Sequence, residues 1–497
     1  MLKRLWQQHS LIIIILVLAF GLRLPQLNGS LWLDEAAQLL ESSRPWSQQL
    51  NISADFQPPL IHLLLFFTLK ISTAEWWLRA IVALIPGLIT IWASYEIGRK
   101  IINQKAGIIT ALLLATSSFH IFYSQELRPY SLPTMWAVLS WLPLLKAVRL
   151  KRFSRLHWLS YTIISLLGFY SSYLYPFFWI TQFIWVIWQQ RHKLQEMIAS
   201  AFLIGLGFAP WLPAFFEQLR VGGTVREKLP GWDQVASISQ LKSPALVVGK
   251  FIYGVMNIEP TLFFIATFLL ISLIFSYLFY LNLNKFKKPK ALKNLILISS
   301  WLFLPLLLAW IVSFWVPVIR PKRVLFLLPA TYLLISHIVT LGRKKVQQQW
   351  GTVLVSILLM LNMWGVLQYH LNPNYQREDW RSLQQEIMNT YSPSETILLF
   401  SFRSPFSPWR WYDQNQYPTL STGKLYIKNV PQLSEKIKLI NDYRYVLLFD
   451  YLRDLTDPDD QLRTELWSLG FHEINTLDYP NIGFIRVFSR YKPMAEL

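Results

Sequence analysis

The chain has 497 residues, 53% hydrophobic and only 15% charged, against about 25% charged in a soluble globular chain, which excludes an ordinary soluble domain. There is no cysteine, which excludes disulfides and thiolate metal sites. The net charge of +19 invites a nucleic-acid reading, but twenty of the 47 Lys and Arg sit in six short segments between apolar runs: "KR", "GRKIINQK", "KAVRLKRFSR", "RHK", "NKFKKPKALK" and "GRKK". That is the positive-inside pattern of a multi-pass membrane protein, so no nucleic-acid partner is expected.

The N-terminal "MLKRLWQQHSLIIIILVLAFGL" lacks a small-x-small cleavage site and reads as an uncleaved first span rather than a signal peptide. A first outer loop follows over about 25–76. Its apolar piece "PPLIHLLLFFTLKI" is too short for a hydrocarbon core of about 30 Å. It reads as a juxtamembrane or re-entrant helix, one of two in that loop, after Asp34 and after Pro58.

With the basic loops taken as cytoplasmic, spans fall at roughly 11–24, 77–97, 106–123, 129–148, 157–172, 174–189, 197–216, 260–281, 294–316, 322–341 and 350–368. About eleven transmembrane helices put the N-terminus in the cytoplasm and the C-terminal tail outside. The expected location is the plasma (inner) membrane. The 23 Trp and 22 Tyr suit interfacial belts.

Composition changes near residue 370. "DWRSLQQEIMNTY" predicts an amphipathic helix, and "TILLFSF", "YRYVLLFDYL" and "NIGFIRVFSR" predict strands. The tail carries 14 Lys/Arg against 16 Asp/Glu, so it lacks the basic excess. The expected architecture is an α-helical polytopic membrane domain over 1–369 and a small extracytoplasmic α/β domain over 370–497.

Residues 1–369 hold only 12 Asp and Glu, and this topology puts all but Glu96 and Glu196 outside. Acids beside apolar helices are functional candidates, because a charge at a bilayer surface must be solvated or paired. Asp34 and Glu35 in "SLWLDEAAQLLESS" start a short helix, where Asp is either an N-cap or a general base. In "ADFQPPLIHLL", Pro58 and Pro59 open the second short helix and aim Asp55 and Gln57 toward whatever Asp34 faces.

"FYSQELRPYSLPTM" offers Glu126, Arg128 and Tyr130. Arg128 suits a phosphate, gripped bidentately, but also suits pairing with Glu126 or reaching to lipid headgroups. "WVPVIRPKRVLFLLPA" puts Arg320, Lys322 and Arg323 on the outer side, against the charge bias. Such a cluster wants an anion, either a carrier phosphate or lipid headgroups. Arg79 in "AEWWLRAIVAL" is a further phosphate or carboxylate partner, or a snorkelling residue. His62 stands without a cluster of metal-ligand spacing, so no metal site is assigned, although a divalent metal stays open as a cofactor.

These four stretches, in this order, resemble the GT-C membrane glycosyltransferases. The resemblance is greatest to the protein O-mannosyltransferase and aminoarabinose-transferase superfamily, particularly its bacterial dolichyl-phosphate-mannose-mannosyltransferase-like members. "LWLDEA", "FQPPLIHLLL", "YSQELRPYSL" and "RPKRVLFLLPATYLL" carry it, and "YQREDWRSLQQEI" resembles the start of that subgroup's tail domain. It covers the chain loosely and residues 30–145 closely. The chain departs from the pattern at Gln57, where the family has His, and at Val324, where it has a late Tyr.

The resemblance implies a polyprenyl-phosphate sugar donor and transfer, usually inverting, to an acceptor hydroxyl on the extracytoplasmic face in cell-envelope glycosylation. It makes Asp34 the base and Glu35 a residue that orients it or the acceptor. Glu126 would sit near the sugar, while Arg128 and the late basic cluster hold the leaving phosphate. The acceptor is a lipid, a glycan or a protein. The competing readings are another transferase of lipid-linked saccharides, or a transporter or flippase. A transporter predicts charges near the bilayer midplane and internal repeats.

Overall fold

The computed structural model describes residues 2–52, 56–150, 152–228, 239–259, 261–427 and 438–490. It divides into two compact units. The first comprises Met1–Asn28, Asp55–Phe216 and Ile238–Tyr375; the second comprises Gly29–Ala54, Glu217–Ser237 and Gln376–Leu497.

The helices run, in chain order, α1 (Leu2–Gly21), α2 (Leu33–Ser42, in the second unit), α3 (Leu60–Leu69) and α4 (Glu75–Arg79), which passes through a π turn at Ala80–Leu84 into α5 (Ile85–Ile101). Then come α6 (Gln104–Thr116), α7 (Ser118–Tyr123), α8 (Ser131–Arg149), α9 (Arg155–Phe169), α10 (Tyr175–Gln189), α11 (Leu194–Phe208) and α12 (Leu212–Lys228). The first unit closes with α13 (Ser243–Tyr253), α14 (Leu262–Phe286), α15 (Pro289–Val312), a 3-10 segment at Pro321–Leu327 leading into α16 (Leu328–Leu341), and α17 (Lys345–Leu371).

Among the described residues, seven helical stretches are long and apolar enough to cross a membrane: Glu75–Ile101, Ser131–Arg149, Arg191–Val221, Leu262–Phe286, Pro289–Val312, Pro321–Leu341 and Lys345–Leu371. The other four expected spans fall on α1, α6 with α7, α9 and α10. The helices α9 and α10 have 15 residues each, about 22 Å of rise, so a crossing there needs the flanking turns as well. The expected continuous span 106–123 is interrupted: Ser117 is extended and caps α7 through its hydroxyl, which accepts from the His120 amide. The ten-residue α3 is the short helix expected after Pro58. The buried α13 had no counterpart among the expected elements.

In the first unit α5 and α6 touch along their backbones. A Cβ on Gly98 would lie 2.8 Å from the Gly107 Cα, so both positions need glycine. Tryptophan is a core residue here as well as a belt residue. Trp141 and Trp301 are fully buried with ring centroids 5.6 Å apart, and Trp185 stacks edge-on against Trp141 at 5.4 Å.

In the second unit, α18 (Trp380–Thr390), β1 (Thr396–Phe400), α19 (Ser407–Asp413), β2 (Thr419–Ser421), β3 (Tyr445–Phe449), α20 (Arg453–Thr456), α21 (Gln461–Ser468), β4 (His472–Tyr479) and β5 (Gly483–Ser489) follow. The sheet order is β2-β1-β3-β5-β4. β1 is parallel to β2 and β3, whereas β5 is antiparallel to β3 and β4. Strand periodicity sorts the core into two faces. Leu398, Phe400, Leu447, Phe449, Ile485 and Val487 pack with Trp380 and Trp409. Ile397, Leu399, Val446, Leu448 and Phe488 pack with Leu462 and Leu466 of α21. A sheet buried on both faces explains why β1 and β3 read as unbroken apolar runs. The expected helix and three strands are present; β2 and β4 are additional, short or mostly exposed.

Candidate active-site residues

The first candidate stretch lies in the second unit. The N-cap of α2 is Trp32, which makes no side-chain cap. Asp34 therefore stands one residue inside the helix rather than at its cap, half-buried in a first turn that favours negative charge. Its neighbour Glu35 is fully buried, with Oε1 3.9 Å from Nε of Arg377.

The first amide of α2 is held by a carboxylate from far along the chain. The Leu33 N–H donates to Oε2 of Glu378 at 3.1 Å. Trp380 Nε1 donates to the same oxygen at 2.6 Å, and the Tyr451 hydroxyl donates to Oε1 at 2.6 Å. Burial nevertheless pushes the Glu378 carboxyl up to about 7, and the charge of Asp34 adds in the same direction. The same burial and the Glu378 charge raise the Tyr451 phenol. Two further bonds hold the loop before α2: the Arg381 amide donates to Ser30 Oγ at 3.1 Å, and the Leu31 amide donates to the Tyr412 hydroxyl at 2.8 Å. Leu33 packs against the aromatic core of Trp380, Phe406 and Trp409.

Arg377, Glu378 and Tyr451 were not among the candidates. The segment "QREDW" carried a usable signal, two acids and an Arg directly before an amphipathic helix, but nothing in its spacing told that it would meet a loop over 340 residues earlier.

The remaining candidates belong to the first unit, apart from Asp55, which lies outside the described residues. Gln57 is buried, with Nε2 2.8 Å from Nε2 of the fully buried His62. Arg79 is fully buried and donates from Nη1 to the Leu27 carbonyl at 3.1 Å. Glu126 is buried and Arg128 half-buried in the turn between α7 and α8. Tyr130 is buried, and Lys322 Nζ lies 5.4 Å from its ring centroid. This cation-π contact joins the third stretch to the fourth. Arg320 is half-buried at the start of the 3-10 segment, whereas Arg323 is exposed and donates to the Pro317 and Val318 carbonyls at 3.1 and 3.4 Å. Val324 is fully buried with φ −108° and ψ 24°, so its side chain serves the core.

A second group that sequence reasoning missed centres on Arg23. This fully buried guanidinium donates from Nη1 to the Ala19 and Ala115 carbonyls at 2.8 and 3.1 Å, and Nη2 lies 2.7 Å from His120 Nδ1. Gln125 of the "SQELR" stretch donates to the Arg23 carbonyl at 2.5 Å. Among the described residues no three His, Asp or Glu side chains gather as a metal-ligand set.

Residues 56–215, which contain the second and third stretches, match the family model "Dolichyl-phosphate-mannose-protein mannosyltransferase". No curated protein matches the chain. Among solved structures, ArnT from Cupriavidus metallidurans in the apo state has a similar fold: TM-score 0.59 at 11% identity, over 98% of this chain and 98% of that one. The same enzyme bound to undecaprenyl phosphate gives TM-score 0.55 at 11% identity, over 96% of this chain and 97% of that one. The archaeal oligosaccharyltransferase AglB from Archaeoglobus fulgidus, in complex with an inhibitory peptide and a dolichol-phosphate, gives TM-score 0.53 at 13% identity, over 99% of this chain and 75% of that one. Over its whole length the chain therefore has the fold of these membrane glycosyltransferases, and over residues 56–215 its sequence matches the mannosyltransferase family model.

Proposed function

We propose that the protein transfers a sugar from a polyprenyl-phosphate donor to an acceptor hydroxyl on the extracytoplasmic face, with inversion, and that Asp34 is the general base. The observation that carries the assignment is the unequal fate of two adjacent carboxylates. Glu35 is sealed in the interior beside Arg377, whereas Asp34 keeps contact with solvent at the positive end of α2. A base must meet its substrate and must be ionised at working pH. Asp34 is the member of the pair that a substrate can reach, and Glu35 and Arg377 are assigned as positioning residues that fix the turn carrying it. Glu378, Tyr451 and Trp380 support the same turn from below through the Leu33 amide.

In the transfer step the acceptor hydroxyl gives its proton to the Asp34 carboxylate as its oxygen attacks the anomeric carbon. The bond from that carbon to the phosphate oxygen breaks, and the electron pair leaves with the polyprenyl phosphate. The charge gathering on that phosphate is what Arg128, Arg320 and Lys322 are assigned to stabilise, with Tyr130 orienting Lys322. Glu126 is assigned to the sugar. Gln57, Arg79 and Arg323 stay as substrate-binding candidates, but their observed contacts are structural: a buried pair with His62, and backbone carbonyls. Lipid carriers in the ArnT and AglB structures support the donor class.

The test is sugar transfer from polyprenyl-phosphate donors in membranes carrying the full chain. At matched protein levels, Asp34→Asn is expected to lower transfer by about 10²–10⁴-fold, while Arg128→Ala raises KM for the donor. Transfer by Asp34→Asn at the wild-type rate would remove the base assignment. Movement of the intact lipid-linked saccharide across the bilayer, with no glycosidic bond formed, would replace the enzyme reading by the transporter.

A further inference from the structure

Four segments that are remote in sequence, three of them with basic residues in the wall, converge on one cavity of about 360 Å³ in the first unit. The C-terminal ends of α5, α8 and α10 and the N-terminal end of α15 form its walls. Lys100, Arg149, Lys290 and Lys293 supply four cationic groups, and Trp185 and Leu297 supply an apolar floor.

We propose that this cavity binds the phosphate headgroup of an anionic phospholipid, at the ends of α5 and α8 opposite those that carry Arg79 and Arg128. Three observations carry it. Lys290 and Lys293 lie three residues apart at the start of α15, a helix with no acid in its first turn. Cations there oppose both each other and the helix dipole, and a bound anion relieves both. The competing acceptors are already used: Arg149 Nη2 donates to the Lys100 carbonyl at 3.3 Å, Asn294 Nδ2 donates to the Ile101 carbonyl at 2.8 Å, and Glu96 pairs with Lys100 at 3.0 Å. The α5 terminus therefore presents side-chain cations rather than bare carbonyls to the cavity. Finally, the neighbouring surface is apolar, with Trp188 67% exposed and Leu292 42% exposed, as expected where acyl chains meet headgroups. A phosphate on a pair of acyl chains fits a basic pocket with an apolar floor; a free phosphate would use only the cations.

The experiment is native mass spectrometry of the full-length protein in detergent, titrated separately with phosphatidylglycerol, phosphatidylcholine and inorganic phosphate. One phosphatidylglycerol is expected to bind per chain, with phosphatidylcholine and inorganic phosphate at least about tenfold weaker. Lys290→Gln with Lys293→Gln is expected to lower phosphatidylglycerol occupancy by about tenfold or more, and Arg149→Gln should lower it independently. Lys287→Gln with Lys288→Gln, outside the cavity, should leave it unchanged. Equal binding of both lipids, equal binding by the cavity variants, or inorganic phosphate binding as tightly as the lipid would each overturn the proposal.

Discussion

The two units hold most of their inward-facing cations differently, the ion pairs of Glu96 and Glu196 in the first being exceptions. In the first, cations rest on backbone carbonyls: Arg23 on Ala19 and Ala115, Arg79 on Leu27, Lys250 on Val255 and Met256 at 3.2 and 2.6 Å, and Lys285 on Leu341 at 2.6 Å. In the second, cations rest on carboxylates. Arg486 bridges Asp450 at 2.7 Å and Glu473 at 3.0 Å, and Arg453 lies 3.5 Å from the same Asp450. Composition sets the difference. The first unit holds 29 Lys and Arg but only 6 acids, so most of its cations have no acid to meet, whereas the second holds 18 against 22. Helix ends leave several carbonyls without intrahelical partners, and a membrane bundle has many helix ends. An arginine buried in the first unit is therefore a cap for helix termini before it is a candidate for substrate.

The strongest way to break this comparison is to remove such a cap. Arg23→Met is expected to destabilise the first unit by about 3–5 kcal/mol, because it leaves buried carbonyls and His120 without their donor. Thermal unfolding in detergent should show a large loss, with Arg23→Lys recovering part of it. An unchanged midpoint would mean that the guanidinium adds nothing to those helix ends.

The next effect concerns Glu378. Its carboxyl has a folded value of about 7 against an ordinary 4.5. Between those values the folded protein binds more protons than the unfolded chain, so stability falls as pH rises from 4.5 through 7. The full change is on the order of 3 kcal/mol. Glu378→Gln, which keeps the acceptor for the Leu33 amide, should flatten that pH dependence in the second unit. A pH profile identical to wild type would remove Glu378 as its source.

A smaller loss, about 1–2 kcal/mol, is expected for Arg486→Met, which strands the half-buried Asp450 while Arg453 remains nearby. Hydrogen exchange along β3 and β5 would report it. At the bottom of the scale, the exposed Arg220–Glu217 pair should contribute nothing measurable despite its 2.7 Å contact, because solvent screens it. A clear midpoint shift for Arg220→Ala would contradict the treatment of surface ion pairs in this chain.

Much of the fold was legible in the chain. Apolar runs marked all seven helical stretches that are long and apolar enough to cross a membrane among the described residues, because the bilayer demands length and hydrophobicity together. The strands of the tail were readable for a related reason: "TILLF" and "YVLLF" are buried on both faces, which writes an unbroken apolar run into the sequence. The edge strands β2 and β4 were not, since exposed strands need no such pattern. Asp34, Glu126 and Lys322 stood out as charges at membrane exits.

What the sequence by itself determined was which segments are apolar enough to be helices of a membrane protein, where charge is rare enough to matter, and that the tail is an α/β layer. Only the tertiary structure decided which of those charges are used up. It sealed Glu35 against Arg377, spent Arg79 on a carbonyl, set Lys322 over Tyr130 and brought Glu378 beneath the start of α2. Hydropathy and helix propensity are local or periodic properties and can be read along a chain. The pairing of Leu33 with Glu378 joins groups 345 residues apart and depends on the packing of everything between them.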